Sequence, residues 1–375
     1  MSFFNLVQIV PSLDSGGVER GTVDVANFLA EKKIQNFIIT SGGNMIKEIN
    51  NNYVHVHQLP VSSKNFLSYP LIARKINQFI KAKNINIVHV RSRGPAWMIN
   101  LMAKNNINTI ATFHNVYGGK SYLKKMYNKG LSKMDYLVAI SDYVKETIVK
   151  KYNLPPNKIS VINRGIDTEY FNQTLNAVVR DNIIKTHQID TAKKIILFPA
   201  RITSWKGHLE FIDVIKKIDT QKIFVLFAGD TKNESYTKLV RDKIKQNNLE
   251  GVCKILGSVN QDEMRSLYQV ADLSVSFPLR AEGFGRTISE SLYSKTPVLA
   301  FDYGGVKNQL VNLSDMFKVK PQDYQALPSK IEKLLSLSEV QKKEAIEGVQ
   351  SFIKNNFSKI NMVNQYLKLY ESFES

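Results

Sequence analysis

The chain has 375 residues, 43% of them apolar, more than one ordinary core accommodates, so two domains are expected. No apolar run reaches the roughly 18 residues of a spanning helix, and SFFNLVQIVPSL holds no basic residue. Neither a transmembrane segment nor a signal peptide is therefore expected, and a cytoplasmic location follows. The formal net charge of +18 is uneven: residues 1–180 carry 23 Lys and Arg against 10 Asp and Glu, the remainder 28 against 23. Such a surface suits phosphates, anionic lipid or nucleic acid, while Lys-, Asn- and Ile-rich usage also follows from an AT-biased genome.

In chain order, LVQIV (6–10), FIIT (37–40), VHVHQL (54–59), INIVHV (85–90), TIATF (109–113), YLVAI (136–140) and ISVIN (159–163) read as strands. Helical periodicity runs through 18–32 and 141–152 between them, and continuous apolar strands separated by helices argue for a parallel sheet. After a polar stretch at 172–192 the pattern restarts with KIILFPA (194–200), KIFVLFAGD (222–230), VCKILGS (252–258), DLSVSF (272–277) and PVLAF (297–301). The expected architecture is two doubly wound α/β domains, residues 1–180 and 181–355, with a C-terminal helix at 356–375 packing back on the first domain. Ligands bind beyond strand carboxyl ends, so substrates are expected in a cleft between facing domains. Cys253, alone in the apolar run VCKIL, reads as a small buried hydrophobe rather than a nucleophile.

Several strand ends carry chemistry. Gly16 and Gly17 follow the first strand, where missing side chains let a ligand approach the backbone; neither a G-x-G-x-x-G fingerprint nor a Walker loop is present. His114 follows TIATF and, as a neutral imidazole, can donate to or accept from a hydroxyl; the other histidines read as structural. Arg201 and Lys206 stand on the loop leaving KIILFPA, where fixed cations stabilise an anionic leaving group without reorganisation. In RAEGFGRTISE, Gly283 and Gly285 flank a turn into a helix whose unpaired N–H groups, from Phe284, Gly285 and Arg286, suit an anion. Glu282 and Glu290 flank that spot and suit hydroxyl groups, with Glu290 projecting away from the apolar face of Ile288 and Leu292. Together they suggest a phosphorylated, hydroxyl-rich ligand: a nucleotide sugar.

Taken in order, SGGVER (15–20), TFHN (112–115), AISDYV (139–144), VINRGID (161–167), PARITSWKGH (199–208), AGD (228–230) and the paired-glutamate segment resemble the retaining glycosyltransferases of family 4 over nearly the whole chain. The resemblance implies the GT-B architecture of two Rossmann-like domains. It also implies donor-diphosphate contacts from Arg201 and Lys206, ribose hydroxyls on Glu290, and the transferred sugar beside Glu282 and His114. The acceptor hydroxyl attacks from the side the diphosphate leaves, with retention of configuration. No D-x-D triplet occurs, in keeping with a metal-independent site. The donor is expected to be a UDP- or GDP-sugar, with no cofactor besides, and the acceptor a glycan or lipid-linked molecule of the bacterial envelope or lipopolysaccharide.

Arg164 departs from the family's commoner Asn-Gly at VINRGID; a ligand contact and a pairing with a carboxylate such as Asp167 both stay open. Ser141 reads as a helix cap. The segment 118–134 spaces Lys125, Lys129 and Lys133 on one face and Leu123, Tyr127 and Leu131 on another, a pattern for a helix lying on the inner face of the cytoplasmic membrane or packed on its own domain. An epimerase or phosphorylase on the same scaffold, and a non-enzymatic basic protein binding membrane or nucleic acid, are the other classes; no nucleic-acid motif is present.

Overall fold

The protein is described by a computed structural model covering residues 4–14, 16–103, 106–119 and 121–373; Ser15 of SGGVER and Lys120 of the basic segment lie outside the described residues. The chain divides into two compact units, Met1–Gly165 with Lys359–Ser375, and Ile166–Ser358.

The first unit is a parallel sheet of β1 (Leu6–Ile9), β2 (Asn36–Thr40), β3 (Val54–Gln58), β4 (Ile87–Val90), β5 (Asn108–Phe113), β6 (Tyr136–Ala139) and β7 (Ile159–Val161), in the order β3-β2-β1-β4-β5-β6-β7. Leu6 pairs with Asn36 on one side and Ile87 on the other, so β1 is an interior strand and the order reverses between β1 and β4. β1, β2 and β4 are buried throughout, as strands covered on both faces are, whereas edge strand β3 is partly exposed. The last helix, Lys359–Glu371, belongs to this unit. Its Met362, Val363, Tyr366 and Tyr370, each 2% exposed or less, share a core cluster with Leu6, Val25, Ile87 and Ile110. It also satisfies buried polar strand residues: His89 Nδ1 lies 2.8 Å from Tyr370 Oη, His89 Nε2 2.8 Å from Thr112 Oγ1, and Thr112 Oγ1 3.1 Å from Tyr366 Oη.

The second unit repeats the scheme with β8 (Lys194–Pro199), β9 (Ile223–Ala228), β10 (Cys253–Gly257), β11 (Leu273–Ser276), β12 (Val298–Phe301) and β13 (Lys318–Val319), all parallel, in the order β10-β9-β8-β11-β12-β13. Two doubly wound α/β sheets are thus present as the alternating pattern required. β13 escapes sequence reading because two residues carry no periodicity. Cys253 is buried, and burial pushes its thiol up to about 12, leaving no thiolate near neutral pH.

The expected long helix over 118–134 is corrected. A helix spans only Tyr122–Asn128, and a separate 3₁₀ turn spans Leu131–Lys133. Tertiary donors reach the carbonyls at the break: Trp97 Nε1 donates to Tyr127 O at 2.9 Å and Asn100 Nδ2 to Gly130 O at 2.9 Å. A Cβ at Gly130 would lie 2.6 Å from Trp97 Nε1, so only glycine admits the indole there. Ser141 caps the helix Asp142–Tyr152, accepting from Val144 N at 3.2 Å.

Candidate active site

Loops leaving neighbouring strands diverge where the strand order of a doubly wound sheet reverses, and the crevice they leave gathers ligand groups. In the second unit that point lies between β8 and β11. The loop after β8 bears Arg201 and Lys206; the loop after β11 bears Glu282. Lys206 Nζ reaches Glu282 Oε1 at 2.6 Å, with 14% and 13% of the two side chains exposed. The Lys206 ammonium also lies over the Trp205 ring, 4.5 Å from its centroid. Arg201 is exposed on the same loop. A cation suited to phosphate and a carboxylate suited to hydroxyls are therefore one ion pair in this structure.

Close backbone approaches hold these loops. Gly207, at φ 88°, precedes the helix His208–Ile215, and a Cβ there would be 2.2 Å from Phe277 O. A Cβ at Gly229 of the AGD motif would lie 2.1 Å from Ala200 O, so glycine lets the end of β9 meet the start of the Arg201 loop.

In the Gly-Phe-Gly turn, Gly285 takes φ 86° immediately before the helix Arg286–Tyr293, and Phe284 is buried edge-on against Phe357 with ring centroids 5.5 Å apart. Among the described residues the N–H groups of Phe284, Gly285 and Arg286 have no acceptor, so the helix start offers donors to an anion. Glu290 is engaged in this structure: it pairs with Arg286 at 3.0 Å and accepts from Tyr268 Oη at 3.1 Å, with 12% of its side chain exposed. A ribose contact therefore has to share or displace these partners.

Sequence reasoning missed the support of this turn. Gly305 N donates to Glu282 O at 2.8 Å, and a Cβ at Gly305 would lie 2.1 Å from Gly283 O. The fully buried Gln309 donates its amide to Phe284 O and accepts from Ser289 Oγ. The Gly-Gly pair shortly after strand PVLAF was the available signal. Gly305→Ala is expected to cost about 1–3 kcal/mol by overpacking and, by displacing Glu282 and Phe284, to lower turnover about 100-fold. Thermal unfolding and steady-state rates check both.

In the first unit, Gly16 and Gly17 open the helix Gly17–Glu31 beyond β1. Gly16 takes φ 132°, and a Cβ on it would be 2.6 Å from the Glu19 carboxylate. Arg164 is buried, its guanidinium over the same helix: a Cβ at Gly17 would be 3.2 Å from Nη2 and one at Gly21 2.3 Å from Nη1. A side chain at position 21 would therefore have to displace the Arg164 guanidinium, a coupling across 143 residues that no local pattern signals. Arg91, at the end of β4, is 1% exposed; it bonds Gln8 and stacks on Tyr366 at 4.8 Å. His114 follows β5, with both ring nitrogens shielded from solvent and without a partner among the described residues. Burial, then the Arg164 and Arg91 charges, hold its pKa well below the usual histidine range, so the ring is neutral.

The same holds for His89, through burial and Arg91, and for His208, lowered to about 4 by burial and Lys206. His208 stacks on Phe198, centroids 4.6 Å apart, in keeping with a structural role. Below pH 6.5 the unfolded chain binds protons at these histidines that the folded chain does not, so stability falls as pH drops from 6.5 toward the folded values. Each contributes up to about 1.4 kcal/mol per pH unit in that window. Urea unfolding at pH 7, 6 and 5 should show the midpoints falling together; a flat profile would contradict neutral burial.

Residues 15–170 match the family described as Glycosyltransferase Family 4, and residues 179–350 match Glycosyl transferases group 1. A solved glycosyltransferase structure from Rickettsia africae is 33% identical, with TM-score 0.87 over 98% of both chains. The capsular polysaccharide biosynthesis glycosyltransferase CapM of Staphylococcus aureus is 24% identical, the match covering 99% of this chain and 97% of CapM. HepE of Anabaena, solved with UDP and glucose, shares the fold at TM-score 0.82 and 17% identity, over 98% of this chain and 100% of HepE.

Proposed function

Because the chain belongs to the glycosyltransferases of family 4 and group 1, we propose that it is a retaining, metal-independent enzyme moving a sugar from a nucleotide-sugar donor to a hydroxyl of a glycan or lipid-linked acceptor. The observation that carries this reading is the Lys206–Glu282 pair at the strand reversal, beside the donor-rich start of the helix Arg286–Tyr293. A nucleoside diphosphate at that helix start gives Lys206 and Arg201 a stronger anionic partner, which releases the Glu282 carboxylate to accept from sugar hydroxyls. As the bond between the anomeric carbon and the phosphate oxygen breaks, those cations stabilise the growing negative charge. The acceptor oxygen bonds the same carbon from the same face and its proton passes to the departing diphosphate. Neutral His114 can hydrogen-bond the sugar without adding charge. CapM by its name, and HepE by its bound UDP and glucose, support an envelope polysaccharide pathway and a UDP-sugar donor over a GDP-sugar.

The test is thermal stabilisation by UDP-, GDP- and ADP-sugars in EDTA, with Arg201→Ala and Glu290→Ala beside the wild type. A ligand at about 100 times its Kd adds about 2.7 kcal/mol. One nucleotide series stabilising only the wild type supports the assignment; equal shifts by any polyanion in all three proteins would sink it.

The acceptor side of the reading includes peripheral contact with an anionic membrane, supported by a surface other than the long helix first expected. Phe66, Leu67 and Leu71 are 60% exposed or more, as are Tyr122 and Leu123. The two stretches meet where Phe66 lies edge-on to Tyr127, centroids 5.6 Å apart. Residues 49–134, which contain both, hold 13 Lys and Arg and no Asp or Glu. Exposed apolar tips among cations suit an interface where each basic residue is worth about 1 kcal/mol. Phe66→Ser/Leu67→Ser and Lys124→Glu/Lys125→Glu should each weaken co-sedimentation with phosphatidylglycerol vesicles at least about tenfold, with no binding to phosphatidylcholine; unchanged partitioning removes this part of the reading.

A further inference from the structure

A cavity of about 1110 Å³ opens in the second unit at the end of the sheet opposite to Lys206 and Glu282. Its walls come from residues entering strands, Lys194 and Ile195 at β8, Asp272 before β11 and Pro297 before β12, whereas the candidate active site is built from loops leaving β8 and β11. The fold's usual ligand position therefore gives no account of it.

Its charge is cationic: seven Lys and Arg line it against three Asp and Glu. Three of the cations stand where helix electrostatics disfavours them. Arg180 is the fourth residue of the helix Ala177–Thr186, and Lys342 and Lys343 are the fourth and fifth of Glu339–Phe357, positions at the positive end of a helix dipole. Lys342, its side chain 7% exposed, is held between Asp272 at 3.0 Å and Glu339 at 2.8 Å. Arg180 and Lys343 are in no ion pair among the described residues. In the same wall the Ser294 hydroxyl, on a residue 5% exposed, has no hydrogen-bond partner among the described residues. Cations set against two helix starts, around a cavity with an unsatisfied hydroxyl, are stabilised together by one event: an anion entering between them. The neutral lining, with the amides of Asn172 and Gln221 and the hydroxyl of Thr191, suits the hydroxyl groups of a saccharide.

We propose that this cavity is a second ligand site, separate from the transferase centre, that binds a phosphorylated sugar, with the phosphate between Arg180 and Lys343. The site does not depend on the donor-site assignment. Calorimetric titration of the full chain with glucose 6-phosphate, inorganic phosphate and glucose tests it. Glucose 6-phosphate should bind wild type and Arg201→Ala alike, at least about tenfold tighter than inorganic phosphate, one 1.4 kcal/mol step in affinity. Arg180→Glu/Lys343→Glu should weaken it at least as much, and so should Thr191→Trp, which fills the cavity from an exposed position without altering charge. No binding overturns the proposal, as does phosphate binding as tightly as the sugar phosphate, or loss of binding in Arg201→Ala but in neither cavity variant.

Discussion

Ending the chain at Ser358 is expected to leave residues 1–165 unable to fold. The removed helix supplies Met362, Val363, Tyr366 and Tyr370 to the core of that unit. At about 1.5–3 kcal/mol for each buried side chain, the loss is on the order of 6–12 kcal/mol, comparable with the whole stability of a typical domain, about 5–15 kcal/mol. The damage is also polar: Tyr370 and Tyr366 are the partners of His89 and Thr112, and Tyr366 faces the buried Arg91. Buried groups stripped of partners keep their desolvation cost. Amide exchange and urea unfolding of the truncated and complete proteins check this; a cooperative transition retained by residues 1–165 after truncation would show the helix to be dispensable. Tyr370→Phe is the milder form and should cost about 1–3 kcal/mol, the penalty of leaving His89 without that partner.

Lys206→Ala is expected to lower kcat by about 100- to 1000-fold, the usual consequence of losing one preorganised charge at a transition state. The ion pair adds a second effect, since Glu282 is only 13% exposed and its carboxylate would lose its cation. Glu282→Gln alone leaves Lys206 able to meet phosphate, so its defect should lie in the handling of the sugar. The double variant should be less impaired than the product of the two single effects, because Lys206→Ala also strands the Glu282 charge, which Glu282→Gln removes. Multiplicative losses would mean that the two residues act independently, and wild-type turnover in Lys206→Ala would remove the loop after β8 from the catalytic centre. Arg201, exposed on the same loop, provides the comparison: its loss should reduce turnover without disturbing Glu282.

Much of this was legible in the residues. β-branched runs separated by helical periods marked twelve of the thirteen strands among the described residues, because strands mostly covered on both faces are rich in apolar residues. The glycines of the Gly-Phe-Gly segment marked a turn with unusual backbone freedom, and Gly285 does adopt a positive φ, as does Gly207, which the sequence reading passed over. Failures came where long-range partners overrode local pattern. Nothing between 118 and 134 announced that Trp97 and Asn100 would claim its carbonyls. A helical wheel put Glu290 away from the apolar face but does not show that Tyr268 donates to it.

The sequence by itself determined the two parallel α/β sheets and the family, and singled out the strand ends proposed to bear the chemistry, since periodicity, turn residues and charge are local properties that survive without a partner. Only the tertiary structure decided which of those groups act together. The Lys206–Glu282 pair, Gly305 beneath Gly283, and Arg164 over Gly21 join residues far apart in the chain. Their energies depend on distances of a few ångströms, because hydrogen bonds and steric overlap vanish beyond contact, and such distances are fixed only when the sheets have closed and their loops meet.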